Sequence, residues 1–403
     1  MKIILLSTWF PYPPNQGSKI RAYHVLRALS AEHEVGLLSF KDVEIDNGWL
    51  EHISDYCAWV EIIPRDAFAM GKLGSIFGLF STRPRAMAAS YSKPMSSRLK
   101  ELARTWQPDL VFALTINTAP YAAALPPIMR VVDVDNLLAR MLYEEYMAEN
   151  NLVRRIRRYL AFIKLQRYER ALFSQFDLAL VTSLQDRQNL MGYVPLESSQ
   201  IGVVPNGVDL DSYHFRSDSS EGSLLAYTGA LTYFANFDAM QYFLEDIFPT
   251  ILAQVPDTRL EITGSTMGVD LESLPNFDQV TFTGYVDDIR EILKRARLCI
   301  VPLRKGAGTR LKILEAMAAG VPVVSTSKGA EGLEVEHEVH LLVADHPQAF
   351  ARETVRLLND QTLRNQLARN ARQLVEEKYD WTMIRKEIGR LIPTAMGQAR
   401  YDH

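Results

Sequence analysis

Apolar runs of strand length alternate with longer amphipathic stretches along nearly the whole chain. "KIILLST" (2–8) precedes the amphipathic "SKIRAYHVLRALS" (18–30), which precedes "HEVGLLSF" (33–40). "DLVFALT" (109–115), "IMRVVDVD" (128–135), "DLALVTS" (177–183) and "IGVVPNG" (201–207) continue the series. Short apolar strands separated by helices dictate parallel β/α layers. The pattern then restarts. "SDSSEG" (217–222) is polar and rich in small residues, and "SLLAYTG" (223–229) opens a second series with "RLEITG", "QVTFTGY", "RLCIVPL", "VPVVST" and "HLLVAD". A length of 403 residues fits two or three domains, and the restart gives two units of similar size. The reading is α/β, with two Rossmann-like doubly wound domains facing each other across a cleft. The first covers 1–203 and the second 204–380. A break at Asp380–Trp381 precedes a short helix over 381–395, expected to pack back on the first domain. Ligands of such sheets bind beyond the carboxyl ends of the strands.

Composition excludes some classes. A net charge of −4 argues against a nucleic-acid binder with a uniformly basic surface. Cys57 and Cys299 are the two cysteines. Both lie in apolar runs and read as buried strand residues, so a disulfide and a cysteine zinc site are not expected, and a reducing, cytoplasmic home fits. "MKIILLSTWF" reads as a first strand rather than a signal peptide, because its apolar stretch is short and Pro11, Pro13 and Pro14 follow at once. No run of about 18 apolar residues is present.

The chemistry is concentrated in "GAGTRLKILEAMAAGVPVVST" (306–326). Thr309 fits an N-cap, the helix would run from Arg310 to about Ala319, and Gly320 would end it. A helix start is the positive end of the backbone dipole and ordinarily attracts acids. Here Arg310 and Lys312 sit in the first turn, with Arg304 and Lys305 just upstream. A diphosphate bound at the helix start would explain them, since its charge outweighs the dipole. The alternative is solvated cations, with Lys312 pairing with Glu315 at i,i+3.

The segment 306–326 resembles the donor-binding segment of family 4 glycosyltransferases, which have the GT-B fold. "VVPNGVDLDSY" (203–213) and "FTGYVDDIREILKRARLCIVPL" (282–303) resemble further segments of that family. "YTGALTYFANFDAMQYFLEDIFP" (227–249) and "STWFPYPPNQGSKIRAYHVLRALS" (7–30) resemble a bacterial subgroup associated with polysaccharide and exosortase loci. The resemblance implies a retaining, metal-independent transferase without a cofactor, acting on a nucleoside diphosphate sugar and a glycan or lipid-linked acceptor. Glu315 would hold the ribose hydroxyls. Gly308 and Thr309 would face sugar and phosphate. Gly17 would approach the diphosphate from the first βα loop, Gly229 would belong to the donor site, and Tyr285 and Val286 would line the nucleobase. Taken alone, Glu315 reads as an ordinary helix acid and Gly17 as a turn glycine.

The sequence also departs from the family. The first of two expected glutamates falls at Ala307, and the expected Arg and Lys after the second domain's first strand fall at Ala230 and Asn236. Arg310 and Lys312, with Arg304, are inferred to replace the missing charges, with Lys19 and Arg21 of the first domain as the next candidates. Where many members carry a His, this chain reads "VVDVDNLLARM". Asp133 and Asp135 spell Asp-x-Asp, which invites a metal reading. A sugar or acceptor hydroxyl contact for Asp135 is preferred, which makes Asp135, Arg310 and Lys312 the catalytic candidates. The bland alternative is capping of the helix from 137 by Asp135 or Asn136.

On the acceptor side, "AFAMGKLGSIFGLF" (67–80) is apolar, and "NLVRRIRRYLAFIKLQRYER" (151–170) is basic and amphipathic. Peripheral contact with the inner face of a membrane is one reading of both. The other packs the apolar stripe of 151–170 on the domain core with its arginines solvated. Two rivals to a transferase remain on this fold: a nucleotide-sugar epimerase, and a non-catalytic subunit.

Overall fold

The structure is a computed structural model that describes residues 1–64, 84, 87, 91–216, 222–306, 308 and 310–399, with side chains to 393. The apolar stretch 67–80, Ala307 and Thr309 lie outside the described residues. The chain divides into two compact units: Met1–Pro205 together with the chain from Arg385 onward, and Asn206–Ile384.

The first unit is built on a seven-stranded parallel sheet: β1 (Lys2–Ser7), β2 (Glu34–Lys41), β3 (Trp59–Pro64), β4 (Leu110–Leu114), β5 (Met129–Val134), β6 (Leu178–Val181) and β7 (Ile201–Val203). The spatial order is β3-β2-β1-β4-β5-β6-β7. Strands covered by helices on both faces read as unbroken apolar runs, and Ile3, Ile4, Leu5 and Leu6 of β1 are all buried. The order reverses between β1 and β4, so the connections leaving those strands diverge and open a crevice at their carboxyl ends. The second unit has six parallel strands: β8 (Leu224–Thr228), β9 (Arg259–Thr263), β10 (Val280–Gly284), β11 (Leu298–Val301), β12 (Val323–Ser325) and β13 (Leu342–Val343). Its order is β10-β9-β8-β11-β12-β13, with the switch between β8 and β11.

The helix Trp381–Ala399 carries the chain from the second unit into the first. It packs there on β7, where a Cβ at Gly202 would meet a Leu391 methyl at 3.0 Å. Two sequence expectations need correction. Cys57 is partly buried in the connection before β3, while Cys299 is buried within β11. The helix after β5, Leu138–Met147, starts at Leu137 with no side-chain cap, so neither Asp135 nor Asn136 fills that role. Glu169, from the next helix Leu152–Phe173, does so instead: its Oε1 accepts the Ala139 N–H at 3.1 Å, and Tyr193 donates its hydroxyl to Oε2 at 2.5 Å.

Glu169 is fully buried, and desolvation pushes its carboxyl from 4.5 up to about 7 against the pull of those hydrogen bonds. A raised carboxyl favours the folded state below the unfolded value, and that advantage is lost as pH rises through the folded one. Relative to Glu169→Gln, which does not titrate, the parent should therefore lose up to about 3 kcal/mol of stability between pH ~4.5 and ~7 and then level off. Urea unfolding of both proteins across this range measures the difference. A flat difference would show that the acid titrates in the fold as it does in the unfolded chain.

Candidate active site

In the second unit, backbone hydrogen bonds tie together the carboxyl ends of β8, β9 and β10. Gly229 N–H donates to Thr263 O at 2.7 Å, and Gly264 N–H to Gly284 O at 2.9 Å. Gly264 has φ 135°, and a Cβ there would lie 2.5 Å from the carbonyl carbon of Gly229, so only glycine fits. Gly229 has φ 155°, and a Cβ on it would stand 2.6 Å from the Lys312 amine. Its own N–H is taken by Thr263, so what Gly229 offers a ligand is room.

Lys312 stands in the first turn of the helix Leu311–Ala318, one residue shorter at each end than the sequence predicts, with Arg310 in the N-cap position. Its Nζ donates to Asn236 Oδ1 at 3.1 Å and sits 4.0 Å above the centroid of the Tyr227 ring. Asn236 is the hub of this arrangement. It also accepts the Tyr227 hydroxyl at 2.8 Å and donates to Ala230 O at 2.8 Å. The position where a family lysine is missing thus holds the residue that steers Lys312 to the end of β8. Desolvation, helped by the Arg310 charge, lowers the Lys312 amine to about 7. Arg310 is buried where Lys312 is half-buried, and its Nη2 donates to Gly306 O at 2.7 Å. Gly306 and Gly308 have φ 97° and 87°, backbone conformations that favour glycine.

Glu315 lies one turn further along the helix. Its Oε1 accepts the Tyr213 hydroxyl at 3.3 Å, and burial pushes its carboxyl up to about 7 although Tyr213 and Lys312 pull it down. The alternative pairing of Lys312 with Glu315 is not what forms: the amine goes to Asn236 and the acid to Tyr213. Arg304 and Lys305 need a larger correction. Arg304 grips Asp238 through Nε and Nη2 at 3.1 and 3.0 Å and stacks on Tyr242, and Lys305 donates to the same carboxylate at 2.7 Å. Asp238 neutralises much of that pair, leaving Arg310 and Lys312 as the cations at the helix start. Around the strand ends stand exposed apolar side chains: Tyr285 (64% exposed) and Met267 (85% exposed), and Phe234 in edge contact with Tyr233. Val286, beside Tyr285, packs partly against the core.

The first unit contributes a separate set. Ser7, Trp9, Ser18, Arg21, Thr115, Asp133 and Asp135 line a small cavity at the carboxyl ends of β1, β4 and β5, beside the switch point. Thr115 has φ 70°, strained for a β-branched residue, and its hydroxyl lies 3.0 Å from that of Thr8. Asp135 is 3.5 Å from the Ser18 hydroxyl and accepts Asn136 Nδ2 at 3.1 Å. Asp133 is buried, and its two oxygens take Arg21 Nε and Nη2 at 2.6 and 2.5 Å. The Asp-x-Asp pair therefore divides its work, and no cluster of three or more metal-ligating side chains occurs among the described residues. Lys19 binds Asp42 at 2.8 Å, so both Lys19 and Arg21 are committed to internal partners and drop out as phosphate candidates. Gly17 is exposed and opens the helix Gly17–Ser30.

Gly229, Arg310, Lys312 and Glu315 thus share one face of the second unit, while Gly17 and Asp135 belong to the first. Asn236 and Tyr227, which steer Lys312, and Tyr213, which holds Glu315, escape a reading by spacing, because each acts on a residue far along the chain. The aromatic density of "YTGALTYFANF" is the one local signal.

Two family models match, "Glycosyltransferase Family 4" over residues 16–212 and "Glycosyl transferases group 1" over 222–360. A Klebsiella pneumoniae protein described as "Uncharacterized 44.6 kDa protein in cps region" is 23% identical over 393 residues, covering 94% of this chain and 96% of its own. Among solved structures, sucrose-phosphate synthase from Thermosynechococcus elongatus superposes with a TM-score of 0.74 at 18% identity, covering 99% of this chain and 100% of its own. Anabaena HepE in complex with UDP-glucose gives 0.67 at 18% identity, with coverage of 98% and 100%. Taken with two parallel sheets that each reverse order at a switch point, these matches place the chain among the family 4 glycosyltransferases, on the GT-B fold.

Proposed function

We propose that this glycosyltransferase is a retaining, metal-independent enzyme that moves a sugar from a nucleoside diphosphate sugar to a hydroxyl of a glycan or lipid-linked glycan. The observation that carries the donor assignment is the Lys312 amine, held by Asn236 at the end of β8 beside Gly229, with Arg310 at the same helix start. Two cations gathered on the positive end of a helix leave room for a polyanion and disfavour the empty site. The HepE structure holds UDP-glucose, which is consistent with this chemistry.

In this reading the diphosphate meets Lys312, Arg310 and the Gly308 and Thr309 loop, Glu315 accepts the ribose hydroxyls, and the base lies against Tyr285 and Val286. Asp135 contacts a hydroxyl of the transferred sugar or the acceptor. The acceptor oxygen attacks the anomeric carbon on the face from which the diphosphate leaves. The carbon–phosphate-oxygen bond breaks, and the acceptor proton passes to the departing phosphate. Lys312 and Arg310 stabilise the charge that grows on that phosphate, so positioning and electrostatics do the chemistry.

The test is nucleotide release from UDP-, GDP- and ADP-sugars in the presence of EDTA, beside titrations of the same donors. One donor should be bound and slowly turned over with the chelator present. Glu315→Ala should weaken that donor by about 100-fold, the worth of two hydrogen bonds to a charged group, with the fold intact. Unchanged affinity would remove Glu315 from the ribose. Tight binding with no release at all would identify a non-catalytic binding subunit.

A further inference from the structure

The helix Leu152–Phe173 carries two apolar faces. Its C-terminal half buries Leu165, Glu169, Leu172 and Phe173 in the first unit. With 3.6 residues per turn, Leu152, Ile156 and Leu160 fall on the opposite side, with Val153 and Tyr159 at its margins. These five are exposed, Val153 at 77%, Leu152 at 70% and Leu160 at 62%. Met147 and Tyr143 of the preceding helix Leu138–Met147 are exposed too. That helix pairs with this one through Tyr146 on Tyr159 and Tyr143 on Phe162. A helical hairpin thus presents large apolar side chains that no described part of the unit covers. A continuous patch of this kind marks a contact surface.

Charge identifies the occupant. The helix holds seven cations, Arg154, Arg155, Arg157, Arg158, Lys164, Arg167 and Arg170, against one acid, the buried Glu169. Acids of the preceding stretch are already paired, Glu145 and Glu149 with Arg158 and Glu144 with Arg140. Arg155 and Arg157 stand exposed on the two flanks of the apolar stripe, Arg155 over the Tyr146 ring, while Arg154 projects from the opposite side of the helix. A second copy meeting this face about a two-fold axis would set those arginines against their own images. An anionic bilayer would take the apolar side chains below its phosphates and the guanidinium groups among them. No helix among the described residues is long and apolar enough to cross a membrane, so the contact is in-plane.

We propose that the exposed stripe Leu152–Ile156–Leu160, with Arg155 and Arg157 on its flanks, docks the protein on an anionic lipid surface. This does not rest on the donor assignment. The docked first unit would meet acceptors held in the bilayer without extracting them.

The experiment is flotation of the full chain with vesicles of phosphatidylcholine alone and of phosphatidylcholine mixed with phosphatidylglycerol. Binding should require phosphatidylglycerol and fall with added salt. The triple variant Leu152→Ser, Ile156→Ser, Leu160→Ser should lower the partition coefficient by roughly 100-fold. Each of Arg155→Gln and Arg157→Gln should cost roughly fivefold on the anionic vesicles, and Arg154→Gln, on the far side of the helix, should cost less. The substituted side chains are exposed, so near-UV circular dichroism should not change. The proposal is overturned if the parent ignores anionic vesicles, or if the serine variant floats as the parent does. It is overturned equally if sedimentation shows a dimer that the serine variant dissolves while vesicles are not bound, since the occupant is then a second copy.

Discussion

Replacing Lys312 by methionine should cost about 100-fold or more in affinity for the nucleoside diphosphate sugar and leave affinity for the nucleoside alone unchanged. Methionine keeps the length and apolar stem of lysine and removes only the charge. The Lys312 amine already has Asn236 and the Tyr227 ring as partners, yet burial holds it near pH 7, far below its ordinary 10.5. A diphosphate beside it would restore the charged form and gain charge-assisted hydrogen bonds of about 1.5–3 kcal/mol each. Binding above pH ~7 should therefore draw a proton from solution, and affinity should fall as pH rises from 7 towards 9. A nucleotide sugar lacks a phosphate that titrates in this window, so the proton is assignable to the protein. Calorimetry in two buffers of different ionisation enthalpy reads the uptake directly. It should vanish in Lys312→Met, while the ligand-free variant should be as stable as the parent or more so, because a desolvated cation has been removed. Equal losses for nucleoside and nucleotide sugar would mean that Lys312 only shapes the loop. Proton uptake that survives the substitution would move the titrating group elsewhere.

What could be read from the sequence follows from range. The strands were legible because a strand covered on both faces must be apolar throughout, and "KIILLS", "LVFAL" and "LCIV" are β1, β4 and β11. The start of the 311–318 helix was legible to one residue, because glycines and a hydroxyl residue precede its apolar pattern. The fate of the cations was not. Arg304, Lys305, Arg310 and Lys312 look like one basic cluster in a nine-residue window. Their partners lie far off in sequence: Asp238 for the first two and Asn236 for the last, on the helix Phe234–Tyr242 that leaves β8. A loop has no period, so spacing cannot say which way its side chains turn. Asn236 shows the limit most clearly. Read as the loss of a family lysine, it is in the fold the residue that positions another lysine. The same holds for Glu169, which caps a helix 30 positions upstream by a contact that no local motif announces.

Truncating Asp133 should unfold the first unit at much lower denaturant or temperature and should have no metal signature. Its partner Arg21 is 2% exposed, and its guanidinium also donates to Val204 O at 3.0 Å and Pro205 O at 3.4 Å. Burial works against the Arg21 charge, and Asp133 overcomes that enough to raise it above its ordinary value. Asp133→Ala leaves the cation with neither water nor counter-charge, which costs about 3–5 kcal/mol and lowers the melting temperature by roughly 10 °C. Removing both charges with Arg21→Met and Asp133→Leu should recover most of that loss, because apolar pairs of similar volume can replace a buried ion pair without penalty. The double variant also separates two accounts of Asp-x-Asp. If Asp133 helps hold a metal, added manganese should stabilise the parent and the double variant should lose that response. If Asp133 exists to neutralise Arg21, manganese and EDTA should leave the parent's melting temperature unchanged, and the two single variants should each be less stable than the double. The bidentate geometry favours the second account: with both carboxylate oxygens on one guanidinium, binding a cation there would first have to break a buried, doubly hydrogen-bonded ion pair.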